Sequence, residues 1–166
     1  FDATSSCGVC GKATIDDVEL ACPVVPAGEP IPASLLVGLP DRLRKAQRVF
    51  ERTGGLHAAG LFTAEGELRC LREDVGRHNA VDKVIGRGLL WPPSRAPHGV
   101  LVVSGRVSFE IVQKAAMGGI GLVAAVSAPS SLAVEAADRL GVTVAGFVRE
   151  GRMNVYAHPE RVDLDG

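Results

Sequence analysis

The sequence predicts a three-layer α/β fold, in which a mostly parallel or mixed sheet carries helices on both faces. In the second half of the chain, short continuous apolar segments alternate with helical segments of about ten residues. Apolar runs of this kind are typical of strands that are buried on both faces and joined by helical crossovers. The 166 residues, 46% of them hydrophobic, suffice for one domain with a substantial core.

Proline and glycine divide the first half of the chain. A proline is favourable in the first turn of a helix because its missing N–H is not needed there, and glycine pairs end helices. Apolar segments on both sides of Glu65-Gly66 indicate two strands joined by a tight turn. The predicted segments are an exposed loop at 4–15, a proline-rich connector at 22–33, a helix from Pro40 to about Thr53, strands at 56–63 and 68–71, and a helix near 77–89 with Leu89 among its buried residues.

The second half alternates regularly between strand and helix. Its predicted strands are 99–103, 121–126, 142–147 and 153–156, and its predicted helices are 108–117 and 131–140. The stretch Ala115–Val134 has no charged residue and is long enough to raise the question of a membrane span. Its glycines and a Ser-Ala-Pro-Ser-Ser segment break it into a helix end, a strand and a helix start, so no span is expected.

Composition excludes several classes of protein. With 18 basic and 19 acidic residues and 4% aromatics, the chain lacks the basic surface and stacking rings of a nucleic-acid platform. Four cysteines do not make a disulfide scaffold. No basic segment followed by an apolar one stands at the start of the sequence, so we expect a cytoplasmic protein.

The Cys7-Gly-Val-Cys10 segment is the sharpest chemical signal. A CxxC pair can be half of a zinc site, a redox dithiol, or a thiolate that accepts and donates sulfur. Cys22 and Cys70 have no nearby cysteine or histidine, so we expect no metal site and assign both to the core. Glycines beside both thiols predict a mobile loop, which suits a carrier; a surface pair without a role is the alternative.

Two histidine-bearing segments could carry further chemistry. Glu73–Asn79 holds five polar or charged side chains in seven positions at a helix start. His78 shares a helix face with Asp82, so a carboxylate could orient it; a helix cap with solvated charges is the alternative. His57 follows a glycine turn and is interpreted as structural.

Three predicted strands end in polar segments on the same side of the sheet. Ligands of open α/β sheets bind outside the carboxyl ends of the strands, where helix N-termini favour anions. Arginines beside a glycine can hold phosphate groups bidentately, and a polar β-turn is the alternative for the last segment. The segments are Ser104–Arg106, Ser127–Ser131, and the run Phe147, Val148, Arg149, Glu150, Gly151 and Arg152. We therefore expect a phosphate-bearing ligand, although no Walker A or GxGxxG motif is present.

Five sequence blocks resemble the formate dehydrogenase accessory sulfurtransferase family (FdhD). They are TSSCGVCG at 4–11, TGGLHAA at 53–59, EDVGRHNAVDKVIG at 73–86, VSGRVSFEIVQKAA at 103–116 and SAPSSLAV at 127–134. They cover most of the chain in the expected order.

The resemblance implies a sulfurtransferase that forms a cysteine persulfide. It would take sulfur from a cysteine desulfurase and pass it to the Mo-bis(molybdopterin guanine dinucleotide) cofactor, which formate dehydrogenase then receives. Cys7 would carry the persulfide with Cys10 as its partner, Phe147–Arg152 would bind the cofactor, and the protein would be a homodimer. A cofactor-binding chaperone without sulfur transfer and a CxxC thiol–disulfide reductase are the alternative functions.

The resemblance also implies a cytidine deaminase-like fold, but the deaminase zinc signature is missing. His57-Ala-Ala has no glutamate, and no Pro-Cys-x-x-Cys follows, so deamination is not expected. Family members carry a sizeable N-terminal part that is absent here, and Phe1-Asp2-Ala3 reads as the tail of a strand. We expect a single sulfur-carrier domain over 1–166, with the cysteine loop and connector at 1–33 and the α/β core at 34–166.

Overall fold

The computed structural model describes residues 22–47, 54–90 and 99–166. The predicted loop at 4–15, with Cys7 and Cys10, lies outside the described residues, as does the predicted helix end at Thr53. The part of that helix which the structure describes ends at Ala46.

Eight strands and five α-helices make up the described residues. The strands are β1 (Ile31–Pro32), β2 (His57–Thr63), β3 (Leu68–Asp74), β4 (Gly99–Val103), β5 (Leu122–Ala125), β6 (Thr143–Arg149), β7 (Arg152–Tyr156) and β8 (Val162–Asp163). The helices are α1 (Ala33–Leu36), α2 (Leu39–Ala46), α3 (Arg77–Leu89), α4 (Phe109–Met117) and α5 (Ser131–Leu140), with a 3₁₀ turn at Pro159–Arg161.

A mixed sheet forms the centre of the molecule, in the order β3-β2-β4-β5-β6-β7. The pairs β4–β5 and β5–β6 are parallel, and the other three pairings in this sheet are antiparallel. Each end of the sheet is a hairpin with a glycine in its turn, Gly66 (φ +83°) and Gly151 (φ +72°). The mixed form of the predicted sheet is thus confirmed. β1 and β8 pair separately in parallel.

Helices cover both faces of this sheet, as predicted. Successive residues of a strand point to opposite faces, so Leu101 and Val103 pack with residues of α3, α4 and α5, whereas Val100 and Val102 pack with residues of α1 and α2. All four of these strand residues are buried. Because both faces are covered, the strands read as continuous apolar runs in the sequence.

α3 spans the predicted residues, but its last turn buries a different residue from the one predicted. The prediction that Leu89 is buried is wrong, since it is 69% exposed. Val81, Val84 and Gly88 are the buried residues of the inward row, and Leu89 lies about 100° around the helix from Gly88. Glycine at position 88 therefore takes the inward place in the last turn.

The uncharged stretch Ala115–Val134 divides into the end of α4, the strand β5 and the start of α5. Ser130 begins α5 by accepting a hydrogen bond from the backbone N–H of Ala133, and Gly141 ends it in the left-handed conformation (φ +70°). Within residues 22–47, 54–90 and 99–166, no helix has both the length and the apolar character needed to cross a bilayer.

Candidate functional site

The sheet topology brings the predicted polar segments to one edge of the sheet, called here the carboxyl edge. β4, β5 and β6 are parallel, so Ser104, Ser127 and Arg149 follow or end neighbouring strands on this side. The antiparallel strand β2 begins here with His57, and β3 ends here with Asp74, its cross-strand partner. The N-termini of α3, α4 and α5 follow these strand ends, so their unpaired N–H groups belong to the same edge.

His78, Ser108 and Glu110 form a polar cluster between the first turns of α3 and α4, called here the His78 cluster. Nε2 of His78 lies 3.0 Å from Oγ of Ser108 and 3.9 Å from Oε2 of Glu110. The side chains of His78 and Glu110 are each 25% exposed, so the cluster is accessible from solvent. Burial lowers the pKa of His78, and the nearby Glu110 carboxylate opposes this only in part.

Glu110 stays ionised within this cluster. Burial alone would raise its pKa, but hydrogen bonds from its own backbone N–H and from the Ser108 hydroxyl outweigh that effect, together with the charges of His78 and Arg77. The pKa of Glu110 is therefore lowered. The cluster combines a neutral imidazole with a charged carboxylate near neutral pH.

The carboxylate that meets His78 is not the one predicted from helix spacing. Asp82 forms an ion pair with Lys114 of α4 instead. Ser108 and Glu110 are the partners of His78 that sequence reasoning missed. They lie about thirty residues away on another helix, a separation that no helical-spacing rule connects; the polar start of that helix was the available signal.

Asp74 organises the start of α3. Its Oδ1 accepts hydrogen bonds from the backbone N–H of Gly76 (2.9 Å) and from Nδ2 of Asn79 (3.1 Å), and its Oδ2 pairs with Nζ of Lys83. These three hydrogen bonds lower the pKa of Asp74 from 3.8 to about 2. The bond from Lys83 has the largest effect, followed by those from Gly76 and Asn79. Asp74 thus stabilises the turn that leads into α3, but the predicted side-chain cap is not found at Gly76, where the helix begins. His78 instead contacts Ser108 at the start of the neighbouring helix.

Arg77 and His57 both lie close to Gly105 at the carboxyl edge. A Cβ atom built on Gly105 would be 3.4 Å from Nδ1 of His57 and 3.6 Å from Cδ of Arg77. Nε of Arg77 is buried and has no hydrogen-bond partner within the part of the chain that the structure describes. A buried N–H donor without an acceptor is uncommon in proteins and points to a ligand or water that completes it.

The predicted phosphate-binding segment is the hairpin between β6 and β7. Arg149 and Arg152 are cross-strand partners, so both side chains project from the same face of the hairpin. All four residues from Arg149 to Arg152 are exposed. Glu150 approaches Arg152, with Oε2 3.5 Å from Nη2, but an ion pair so exposed contributes little and leaves the guanidinium available.

The two residues that precede Arg149 in this segment differ in exposure, since Phe147 is partly exposed and Val148 is buried. Phe147 has a left-handed backbone (φ +53°) at a β-bulge and is 38% exposed. Bulky residues rarely adopt this conformation, and such strain concentrates at functional sites. The side chain of Val148 is 1% exposed and belongs to the core, so it is not available to a ligand.

Backbone bonds join the two halves of the carboxyl edge. Val107, one residue before Ser108, forms an isolated parallel bridge with Pro129. The N–H of Phe147 donates to the carbonyl of Ser127 at 3.2 Å. A continuous set of loops therefore runs from the His78 cluster to the arginine hairpin.

The structure describes two of the four cysteines. Cys22 and Cys70 are buried, 3% and 6% exposed, which confirms that they belong to the core. Burial raises the pKa of the Cys70 thiol and makes it a poor nucleophile. The roles of Cys7 and Cys10 stay predictions, since both lie outside the described residues. Within the described residues, no three His, Cys, Asp or Glu side chains are grouped so that they could hold a metal ion.

Comparison with known proteins gives consistent results. The family model described as the FdhD/NarQ family matches residues 2–163. Proteins named sulfur carrier protein FdhD are similar to 97–98% of this chain, with 57% identity in Streptomyces coelicolor, 54% in Mycobacterium tuberculosis and 48% in Picrophilus torridus. The chain spans 58%, 59% and 62% of the length of these curated relatives.

A solved structure agrees with the sequence comparisons. The crystal structure of a protein described as a formate dehydrogenase accessory protein from Desulfotalea psychrophila superposes with a TM-score of 0.75 and 34% identity. The match covers 85% of this chain and 59% of that one. With a family match over nearly its whole length and relatives at up to 57% identity, this chain belongs to the FdhD/NarQ family.

Proposed function

We propose that this chain acts as a sulfur carrier in the maturation of formate dehydrogenase. The observation that carries the proposal is the 57% identity, over 97% of the chain, to a protein named sulfur carrier protein FdhD. In this proposal a cysteine desulfurase supplies the sulfur and Cys7 holds it as a persulfide, with Cys10 beside it. The recipient is a molybdenum cofactor with two guanine dinucleotides, which is substrate and not a resident group, and the working unit is a homodimer.

The carboxyl edge supports delivery to an anionic, nucleotide-bearing substrate. Arg149 and Arg152 offer two exposed guanidinium groups on one face of the hairpin, a geometry that suits phosphate oxygens. Arg77 adds a buried N–H donor without an acceptor among the described residues. The helix N-termini along the same edge add partial positive charge.

The chemistry of loading requires a reactive thiolate. A thiolate attacks the outer sulfur of a donor persulfide, the donor's S–S bond breaks, and the donor leaves as a thiol after it regains a proton. Cys22 and Cys70 are too deeply buried to take part. The remaining candidates are therefore Cys7 and Cys10, in the segment outside the described residues.

Intact mass spectrometry tests this function. The protein is incubated with a cysteine desulfurase and cysteine, and the mass gained per chain is measured. We expect one sulfur per chain in the wild type and in Cys70→Ala, and none in Cys7→Ala. A Cys7→Ala variant that gains sulfur as the wild type does contradicts the assignment of Cys7. A chain that gains no sulfur but binds guanosine diphosphate would instead fit a cofactor-binding chaperone.

A further inference from the structure

We propose that a cavity on the side of the central sheet opposite the carboxyl edge binds a small monocarboxylate, whose carboxylate group is held by Arg161. The cavity has a volume of about 380 Å³, within the range of sites that hold small organic molecules. Its wall includes Gly99, where β4 begins, Leu122, where β5 begins, and Gly119, just after the end of α4. The proposal goes beyond the sulfur-carrier function and uses described residues alone.

Arg161 brings a positive charge to this cavity, and no carboxylate among the described residues pairs with it. The residue is 8% exposed. The carboxylate of Glu160, its neighbour in sequence, is bonded to His158 instead, with Oε1 3.0 Å from Nδ1. Burial lowers the pKa of Arg161, and the charge of Glu160 opposes this only in part, but arginine is not deprotonated in proteins. A buried charge is costly unless a partner compensates it.

The hydrogen bonds of the guanidinium use one of its three nitrogens. Nη2 donates to the carbonyls of Val25 (3.1 Å), Pro26 (2.7 Å) and Gly141 (2.9 Å). Nε is buried and lacks an acceptor within residues 22–47, 54–90 and 99–166. Nη1 donates to no residue in these ranges either. The N–H donors of Nε and Nη1 are therefore available to a ligand.

Two glycines leave Nη1 uncovered at the cavity wall. A Cβ atom built on Gly121 would lie 2.6 Å from Nη1, and one built on Gly28 would lie 3.5 Å from it. Both glycines line the cavity. Because neither carries a side chain, a molecule in the cavity can reach the nitrogen that the backbone carbonyls do not use.

The other walls determine which kind of anion fits. Val25, Ile31 and Leu122 supply apolar surface, which suits an aliphatic chain better than an inorganic ion. Glu29 also lines the cavity, and its carboxylate disfavours a ligand with two negative charges. The end of α4 adds partial negative charge, so the full charge of Arg161 is what makes one anionic group favourable here. A single carboxylate with an aliphatic chain meets these conditions.

Water is the alternative acceptor for Nε and Nη1 of Arg161. Water would satisfy the N–H donors, but it supplies no negative charge and leaves the apolar walls wet. A carboxylate forms stronger, charge-assisted bonds with a guanidinium, and its aliphatic chain removes water from the apolar walls. The two cases therefore differ in whether a charged ligand is preferred to a neutral one of the same shape.

Calorimetric titration with butyrate tests the proposal. Butyramide, which has nearly the same shape without the charge, is the matched control ligand. We expect butyrate to bind at least about 10-fold more tightly than butyramide, as for a charge-assisted bond to arginine. Inorganic phosphate should bind more weakly than butyrate, since it has no aliphatic chain. Equal affinities for butyrate and phosphate would mean an adventitious ion only and would overturn the proposal.

Two variants locate the binding. Arg161→Gln should bind butyrate at least about 10-fold more weakly, because the charged donor is lost. Gly28→Val keeps the bonds from Nη2 to the carbonyls but places a side chain against Nη1, so it should also weaken binding. It carries the test if Arg161→Gln does not fold, since the φ of Gly28 is not positive. Gly86→Val is the control and should bind as the wild type does, because a Cβ there has no neighbour within 4 Å.

Competition with guanosine diphosphate separates this cavity from the carboxyl edge. Saturating butyrate should leave the affinity for guanosine diphosphate unchanged, because the two sites lie at opposite edges of the sheet. Competition between the two ligands, or wild-type affinity for butyrate in both Arg161→Gln and Gly28→Val, would overturn the proposal. Either result would leave the carrier function standing, since sulfur uptake measured by intact mass tests that function separately.

Discussion

The two edges of the central sheet handle charge in opposite ways. At the carboxyl edge, partly exposed polar side chains such as His78 and Ser108 hydrogen-bond to one another beside the beginnings of helices. At the other edge, a cavity of about 380 Å³ is lined mostly by apolar residues and glycines. Its wall includes the guanidinium of Arg161, which is 8% exposed and donates through Nη2 to the carbonyls of Val25, Pro26 and Gly141.

The difference follows from strand direction. Helices begin where parallel strands end and therefore present N–H groups at the carboxyl edge; they end at the other edge and present carbonyls. Of the three carbonyls that bind Arg161, the one of Gly141 comes from such a helix end, and the other two come from the segment before β1. Anions are favoured at the carboxyl edge. Gly121 allows the arrangement around Arg161, because a Cβ there would lie 2.6 Å from Nη1.

The largest expected effect is on stability, at the edge away from the site. Arg161→Gln leaves buried carbonyls without their charged donor, so we expect the free energy of unfolding to fall by on the order of 3 kcal/mol. The affinity for guanosine diphosphate should not change. Urea denaturation and calorimetric titration measure the two quantities, with the exposed Arg69→Gln as control. A loss of nucleotide affinity at unchanged stability would reverse the roles given to the two edges.

The second expected effect is on binding at the carboxyl edge. Replacing both Arg149 and Arg152 by alanine removes two exposed cations, and we expect guanosine diphosphate to bind about 100-fold more weakly, as for the loss of two charge-assisted bonds. The weakening should shrink at high salt. Arg69→Ala, on an exposed position of β3, is the matched control. Equal affinity of the double variant and the control would remove the hairpin from the site.

A smaller effect is expected in the hairpin turn itself. Glu150 and Gly151 both have positive φ, which suits an Asn-Gly turn better than Glu-Gly. Glu150→Asn should raise the free energy of unfolding by about 0.5–1 kcal/mol. It also removes a carboxylate 3.5 Å from Arg152, so nucleotide affinity should increase slightly. A decrease in affinity would mean that Glu150 itself contacts the ligand.

The smallest effect concerns acid stability at the start of α3. The pKa of Asp74 is about 2, below its ordinary value of 3.8. A depressed folded-state pKa stabilises the protein above the ordinary value, and that contribution is lost as the pH falls toward 2. Asp74→Asn should therefore be less stable than the wild type at pH 5, and this difference should narrow as the pH falls toward 2, as measured by urea midpoints. A difference that does not depend on pH would contradict this account.

Local sequence signals predicted most of the fold. The apolar runs of β4, β5 and β6, the glycines that end α4 and α5, and the turn at Glu65-Gly66 each have a physical cause within a few residues. The buried end of α3 was predicted wrongly because helical periodicity does not show which row meets the sheet, and Gly88 takes the place given to Leu89.

The candidate site, like the fold, was predictable from the sequence only where its residues follow from local signals. Polar residues at the ends of predicted strands indicated that Ser104, Ser127 and Arg149 share one edge of the sheet. This prediction is possible because strands joined by a helix pair in parallel, which the order of segments already shows. The partners of His78 depend on how two helices pack, which one sequence does not state. Asp82 was the better local candidate and pairs with Lys114 across the helix interface.

The location of a bound guanine nucleotide would show whether the carboxyl edge is the binding site. Crystals of the protein are soaked with guanosine diphosphate, and the difference density is located on the fold. We expect density along the carboxyl edge, with phosphate oxygens near Arg149 and Arg152. Density in the cavity beside Arg161, with none at the carboxyl edge, would contradict this expectation.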